Sequence, residues 1–267
     1  MKHTMSTVIA LTLFLVAGAW AQEEPEPSIG PQFHFQTSYG DEGFKGDDIT
    51  QGKEVPLYKQ YEGAIKMILP APAPGGMSLE QALQKRQSVR SFEKKPVTLA
   101  QLSRLLLSAD GITRRRGDFD FRSAPSAGAL YPMEIYVVAA NVESLPAGLY
   151  HFQVSDSSLE LVREGDLSRE AHEAAFEQDC VGSSPVTLIL AARFDRVTRK
   201  YSDRGYRYAY MESGAVCQNI YLEAASLGLG TVVAGAFSDD AVNALVGVNG
   251  HEEAVLLIMP VGYPSGR

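Results

Sequence analysis

The sequence predicts an α+β fold built around one sheet. Strand and helix signals are mixed without the strict alternation that a doubly wound parallel sheet would show. Residues 186–193, VTLILAAR, form a continuous apolar run of buried-strand length, and residues 208–227 read as a long helix that is apolar on most sides. The chain has 267 residues, of which 45% are hydrophobic and 21% charged. That composition is globular and excludes a disordered or fibrous protein.

The first 21 residues stand apart from this fold. Lys2 and His3 precede the apolar run VIALTLFLVA at 8–17, and Ala19-Trp20-Ala21 supplies small residues for cleavage. This is the pattern of a secretory signal peptide, with an uncleaved anchor as the competing reading. The run is short of the ~20 residues a membrane span needs. No Arg-Arg pair precedes it, so twin-arginine export is not indicated. No second run of this kind follows. The expected product is therefore secreted or periplasmic, without a membrane span once the signal is removed.

Residues 22–76 are rich in Pro, Gly, Glu and Asp and end in PAPAPGG. They read as an extended N-terminal arm and linker with no helical period. The body, 77–267, opens with two capping boxes, Ser78 with Gln81 and Thr98 with Gln101. Leu99, Leu102, Leu105 and Leu106 then share one helix face. Residues 133–140 form a strand candidate. A hairpin is expected at 148–154 and 159–163, turning at 155–158. A short helix starts near Asp166 or Ser168. A strand at 231–236, a helix at 239–246 and a strand at 254–262 close the chain.

The net charge of −8 and pI near 5.2 lack the electrostatic footprint of a nucleic-acid binder. There is no HExxH, GxSxG, Walker or CxxC sequence, and the five histidines are scattered. Cys180 and Cys217 leave two readings open, one disulfide or buried free thiols. Gly228, Gly230 and Gly235 follow a helix at the wrong spacing for a dinucleotide fingerprint.

Four stretches carry candidate chemistry, each beside a plainer reading. Arg86 and Arg90 flank Ser88, and two guanidinium forks with one hydroxyl suit a phosphate; the same residues also suit a solvated helix end. PSAGALYP, 125–132, admits close backbone approach at Gly128, or is a tight loop before a strand. RFDRVTRKYSDRGYRY, 193–208, reads as a polar loop, solvated or functional, with an unusual density of Tyr among cations. Glu212, Gln218 and Asn219 interrupt the apolar helix and need partners, either interface hydrogen bonds or ligand contacts.

In this order, RQSVRSF (86–92), PSAGALYP (125–132), RKYSDRGYRYAYMESG (199–214), QNIYLEAASLGLG (218–230) and VVAGAF (232–237) resemble the nitroreductase superfamily. Within it they are similar to the SagB/ThcOx-type, FMN-dependent azoline dehydrogenases, over about residues 69–263. The resemblance implies a nitroreductase-like fold with a central mixed sheet flanked by helices, in a domain-intertwined homodimer with FMN at the interface. It implies that Arg86, Ser88 and Arg90 hold the phosphate and ribityl chain. It implies that Pro125, Ser126, Ala127 and Gly128 approach the flavin from the partner subunit. Val233, Ala234 and Gly235 would lie along the flavin's pyrimidine edge and N5. Lys200-Tyr201 matches the family's catalytic Lys-Tyr pair, and either side chain can serve as a general base. Whether Arg267 serves as the phosphate-binding basic residue beyond the last strand is left open.

Three functions follow. The first is an exported FMN oxidoreductase that takes a hydride from a small-molecule or peptide substrate. The second is an NAD(P)H-dependent nitro or quinone reductase, which the expected compartment disfavours. The third is a non-catalytic flavin-binding protein, which the intact Lys-Tyr and arginine blocks count against.

Overall fold

The computed structural model describes residues 28–40, 55–73, 75–117 and 119–266. The expected signal peptide, 1–21, and Arg267 lie outside the described residues. The chain divides into two compact units, up to Ser38 and from Tyr39 onward. In the first, α1 spans Ile29–Gln36. This corrects the expectation of an extended arm. Pro31 sits in the first turn, where its missing N–H costs no helix bond, and eight residues are too few to print a clear period.

The second unit holds the sheet. Strand β1 (Lys66–Ile68) is followed by α2 (Leu79–Lys85), β2 (Val97–Thr98) and α3 (Leu99–Asp110). Next come a hairpin, β3 (Ile112–Arg116) and β4 (Phe119–Arg122), and then β5 (Met133–Ala139), β6 (Val142–Glu143), β7 (Gly148–Gln153) and β8 (Ser158–Glu164). Short helices α4 (Ser168–Ala174) and α5 (Asp179–Gly182) precede β9 (Val186–Arg193). The chain ends with α6 (Phe194–Tyr201), α7 (Arg204–Ser226), β10 (Gly230–Thr231), α8 (Asp239–Val246) and β11 (Glu253–Gly262). Both capping boxes form: Gln81 N–H donates to Ser78 Oγ and Gln101 N–H to Thr98 Oγ1, each returned by the glutamine side chain.

The seven-stranded sheet runs β1-β8-β7-β5-β9-β11-β10. The expected mixed sheet is antiparallel at every pairing of these strands. Its parallel component is a single bridge from Ser88 to Thr231 at the β10 edge. The reason is connectivity: β7–β8 is a hairpin, and the other links bring each strand back antiparallel to its neighbour. Part of the expected extended arm also joins the sheet, with Met67 opposite Leu159.

Both faces of β9 are covered, which explains its unbroken apolar run. Leu188 and Leu190 pack with Leu102, Leu105, Val216 and Ile220 of α3 and α7. Ile189 and Ala191 pack with Ala171, Val181, Val242 and Leu245 of α4, α5 and α8. Cys180 belongs to the second layer and Cys217 packs on the first, so the sheet separates them and both thiols are free. Among the described residues no helix is long and apolar enough to cross a membrane.

The stretch expected as a polar loop at 193–208 is helical. Phe194 and Val197 of α6 are buried while Asp195, Arg199 and Lys200 lie toward its outer side. The chain turns at Ser202 and Asp203 into α7, four residues before the expected start. Strand β10 is shorter than the expected 231–236, because Val233 N–H leaves the ladder to bond Tyr221 Oη at 2.9 Å.

Candidate functional site

Two groups of candidate residues form, one toward each end of α7. The first lies where α2 ends. Arg86 takes up extended backbone there, ψ 121°, and leads the chain along β10, where Val89 N–H donates to Thr231 O at 2.9 Å. Gly230 makes this approach possible, since a side chain there would start 2.6 Å from Val89. Tyr221 of α7 ties the group together. Its hydroxyl lies 3.2 Å from Ser88 Oγ and accepts the Val233 N–H, and the Arg86 guanidinium sits 5.2 Å above its ring centre. Ser88 and Arg90 are exposed and Arg86 is half-buried.

The three residues 233–235 differ from one another. Ala234 is buried, and both its backbone groups bond Ile258, at 2.8 and 3.0 Å. Ala234 is thereby bridged to the sheet at Ile258, so its own N–H and C=O are both engaged. Gly235 is exposed, makes no hydrogen bond among the described residues, and a Cβ added to it would meet nothing within 4 Å.

The second group is built on the loop 125–132 between β4 and β5. Its backbone is strained, with positive φ at Gly128 (64°), Ala129 (53°) and Tyr131 (45°). Four contacts hold it. Ser126 Oγ accepts Tyr131 N–H at 2.8 Å, and Arg196 Nη1 donates to Tyr131 O at 2.8 Å. Tyr131 Oη accepts Arg122 N–H at 3.2 Å, and the Arg122 guanidinium covers the Tyr131 ring at 4.6 Å. On this loop Gly128 faces the Lys-Tyr pair: a Cβ there would lie 2.7 Å from Tyr201 Oη and 2.9 Å from Lys200 Nζ. The Tyr201 ring meets Tyr208 edge-on at 4.8 Å, and Tyr208 Oη accepts from Arg204 Nε at 2.9 Å.

Glu212 lies one helical turn beyond Tyr208, 3% exposed, with neither carboxyl oxygen hydrogen-bonded among the described residues. Burial pushes its carboxyl up to about 8, opposed chiefly by the nearby Ser126 hydroxyl. Gln218 is exposed on α7, and Asn219 donates to Ala109 O at 3.3 Å.

Behind the loop is a buried polar network that the sequence reading did not single out. Arg196, fully buried, bonds Glu134 at 2.5 Å and Pro56 O at 2.9 Å. Glu134 also meets His151 Nε2 at 2.8 Å, and His151 Nδ1 meets Glu160 at 3.1 Å. Burial alone would raise the Glu134 carboxyl, but Arg196, then His151 and Arg122, hold it at about 2. Burial opposes a charged His151, yet its bonds to the two glutamates raise its pKa overall. The signal was present: Glu134 and Tyr136 share one face of an otherwise apolar strand, and His151 stands opposite Tyr136.

Comparison with known proteins adds the following. The profile described as the nitroreductase family matches residues 83–263. A Methanocaldococcus jannaschii protein named as a nitroreductase is 43% identical over 186 residues, 70% of this chain and 91% of that protein. The Escherichia coli microcin B17-processing protein McbC is 30% identical over 146 residues, 53% of this chain and 54% of that protein. The crystal structure of a nitroreductase from Ralstonia eutropha superposes with a TM-score of 0.66 at 30% identity, covering 81% of this chain and 97% of that one.

Proposed function

The chain belongs to the nitroreductase family, and from that premise we propose that it is an FMN-dependent dehydrogenase of the SagB type, acting outside the cytoplasm as a homodimer. The observation that carries the reading is the meeting of Gly128 with Lys200 and Tyr201, which are remote in sequence. The likeness to the microcin-processing protein supports the SagB-type branch.

The residues present fit FMN. Arg86 and Arg90 offer planar donors for its phosphate and Ser88 an exposed hydroxyl. Gly235 offers a backbone donor that opens onto free space. Bound there, FMN supplies a two-electron acceptor for hydride. The protein's part is to bind, orient and move the proton. Lys200 Nζ or Tyr201 Oη takes the proton that the substrate loses, and Gly128 leaves both side chains room. Arg122 and Arg196 keep the strained loop in place for them.

Tyr221 and Glu212 are nine positions apart on α7, about 14 Å at 1.5 Å per residue. That separation supports a site assembled from two chains. So does the exposed stripe of Tyr210 (49%) and Met211 (67%) on the same helix, since a partner chain would cover it.

The test is a visible spectrum of the purified protein with light scattering, followed by anaerobic mixing with azoline-containing peptides. A yellow dimer whose flavin bleaches with the peptide is expected. A protein that stays colourless in excess FMN refutes the reading. Bleaching by NAD(P)H alone would instead support a nitro- or quinone-reductase, the alternative that the Methanocaldococcus relative's name favours.

A further inference from the structure

We propose that Glu212 is an uncharged hydrogen-bond donor that selects substrates presenting a neutral acceptor, a carbonyl oxygen or ring nitrogen, over those presenting a carboxylate. The inference rests on the preceding reading, in that it takes the second group to be the substrate end of the site.

The cavity beside Glu212 has a volume of about 310 Å³, at the small end of ligand sites. Pro125, Ala127, Met211 and Ala215 make its walls apolar, and Ser126, Tyr208 and Glu212 supply its polar atoms. Two of these three already accept a hydrogen bond, and each keeps its own O–H to donate. Ser126 Oγ accepts Tyr131 N–H, and Tyr208 Oη accepts from Arg204. Glu212 is the cavity's one carboxyl: neither of its oxygens makes a geometrically complete hydrogen bond among the described residues, and the Ser126 hydroxyl is the donor that lies near it.

Charge matching decides its state. The charged groups that act on Glu212 are Asp110 from α3, Arg122 from β4 and Arg196 from α6. Arg122 is paired with Asp110 at 2.6 Å, and Arg196 with Glu134 at 2.5 Å. Both cations are therefore matched by other carboxyls, and Glu212 is a third acid with no cation of its own. An unpaired buried carboxylate is costly, so the group keeps its proton. A neutral carboxyl still needs a partner for its O–H, and the open side of the cavity is where a ligand can supply one. A carboxylate ligand bonded to Glu212 would gain nothing from Arg122 and Arg196, which are already matched, and would leave Lys200, facing Gly128 on the same loop, as the cation it must reach.

The probes are benzamide and benzoate, one ring bearing a neutral or an ionised acceptor, titrated calorimetrically into the FMN-loaded protein. Infrared difference spectra of wild type and Glu212→Gln are recorded alongside. Benzamide should bind at least tenfold more tightly than benzoate at pH 7. Its affinity should fall about tenfold between pH 7 and 10 in wild type and stay within twofold in Glu212→Gln. The carbonyl band of a protonated carboxyl should be present in wild type at pH 7 and missing from the variant. Equal binding of the two probes overturns the proposal. So does a pH dependence that persists in the variant, or a wild-type spectrum showing Glu212 ionised at pH 7. The infrared result needs neither probe nor a bleaching substrate. A protein that binds no FMN but shows the band and the preference would defeat the preceding reading and leave Glu212 as described.

Discussion

Replacing Arg196 by Met removes a fully buried cation that makes three hydrogen bonds among the described residues, and keeps most of its length. Three acceptors lose a donor: Pro56 O, Tyr131 O and Glu134 Oε1. Breaking a buried pair by deleting one partner costs about 3–5 kcal/mol, because the remaining charge is left uncompensated. The depressed carboxyl of Glu134 bears on the same cost. Glu134 is held at about 2 against an ordinary value of 4.5 by Arg196 first and by His151 and Arg122 after it, worth about 3 kcal/mol for the three together, so Arg196 supplies part of that figure. The sign is that of a depressed carboxylate: this stability is present above pH 4.5 and is lost as pH falls toward 2. Thermal unfolding of Arg196→Met should therefore show a midpoint roughly 6–20 °C lower at pH 7. The deficit relative to wild type should shrink as pH falls from 4.5 to 2. A variant that melts within about 2 °C of wild type, with an unchanged pH profile, would refute the reasoning.

Lys200→Ala or Tyr201→Phe should slow substrate-driven flavin bleaching by ~10²–10⁴-fold while the flavin absorbance is retained; stopped-flow absorbance reads both, and loss of flavin would move the pair to cofactor binding. Arg86→Ala should weaken FMN by ~1.5–3 kcal/mol, the worth of a charge-assisted hydrogen bond, measured by fluorescence titration of the apoprotein. Gly128→Ala places a methyl within 2.7 Å of Tyr201 Oη at a φ of +64°. It should destabilise the loop by ~1–3 kcal/mol and, by displacing both side chains, cost about 10²-fold in bleaching rate. Full activity in that variant would remove the Gly128 contact from the mechanism.

The sequence by itself determined the local structure. Both capping boxes form at the residues where the spacing puts them, because a cap is a contact across three residues. The hairpin at β7–β8 and the two-faced burial of β9 are legible too, the first from its turn residues and the second from an unbroken apolar run. The α6 segment reads as a polar loop by composition, because Asp195, Arg196, Arg199 and Lys200 crowd its eight residues, although Phe194, Val197 and Tyr201 at i, i+3 and i+7 give it a clear helical period.

What only the tertiary structure decided is which distant groups share a space. Arg86 and Ser88 were legible as phosphate candidates, but Tyr221 as their hub was not, since it looks like any apolar helix residue. Lys200 and Tyr201 were legible as a pair, yet their contact with Gly128 depends on how the 125–132 loop and α6 meet at neighbouring strand ends. The Arg196–Glu134–His151–Glu160 chain depends on the sheet order that sets β8, β7 and β5 side by side. Periodicity states that a side chain faces inward. It does not state what it meets there, and for a buried charge the partner fixes both its protonation and its worth.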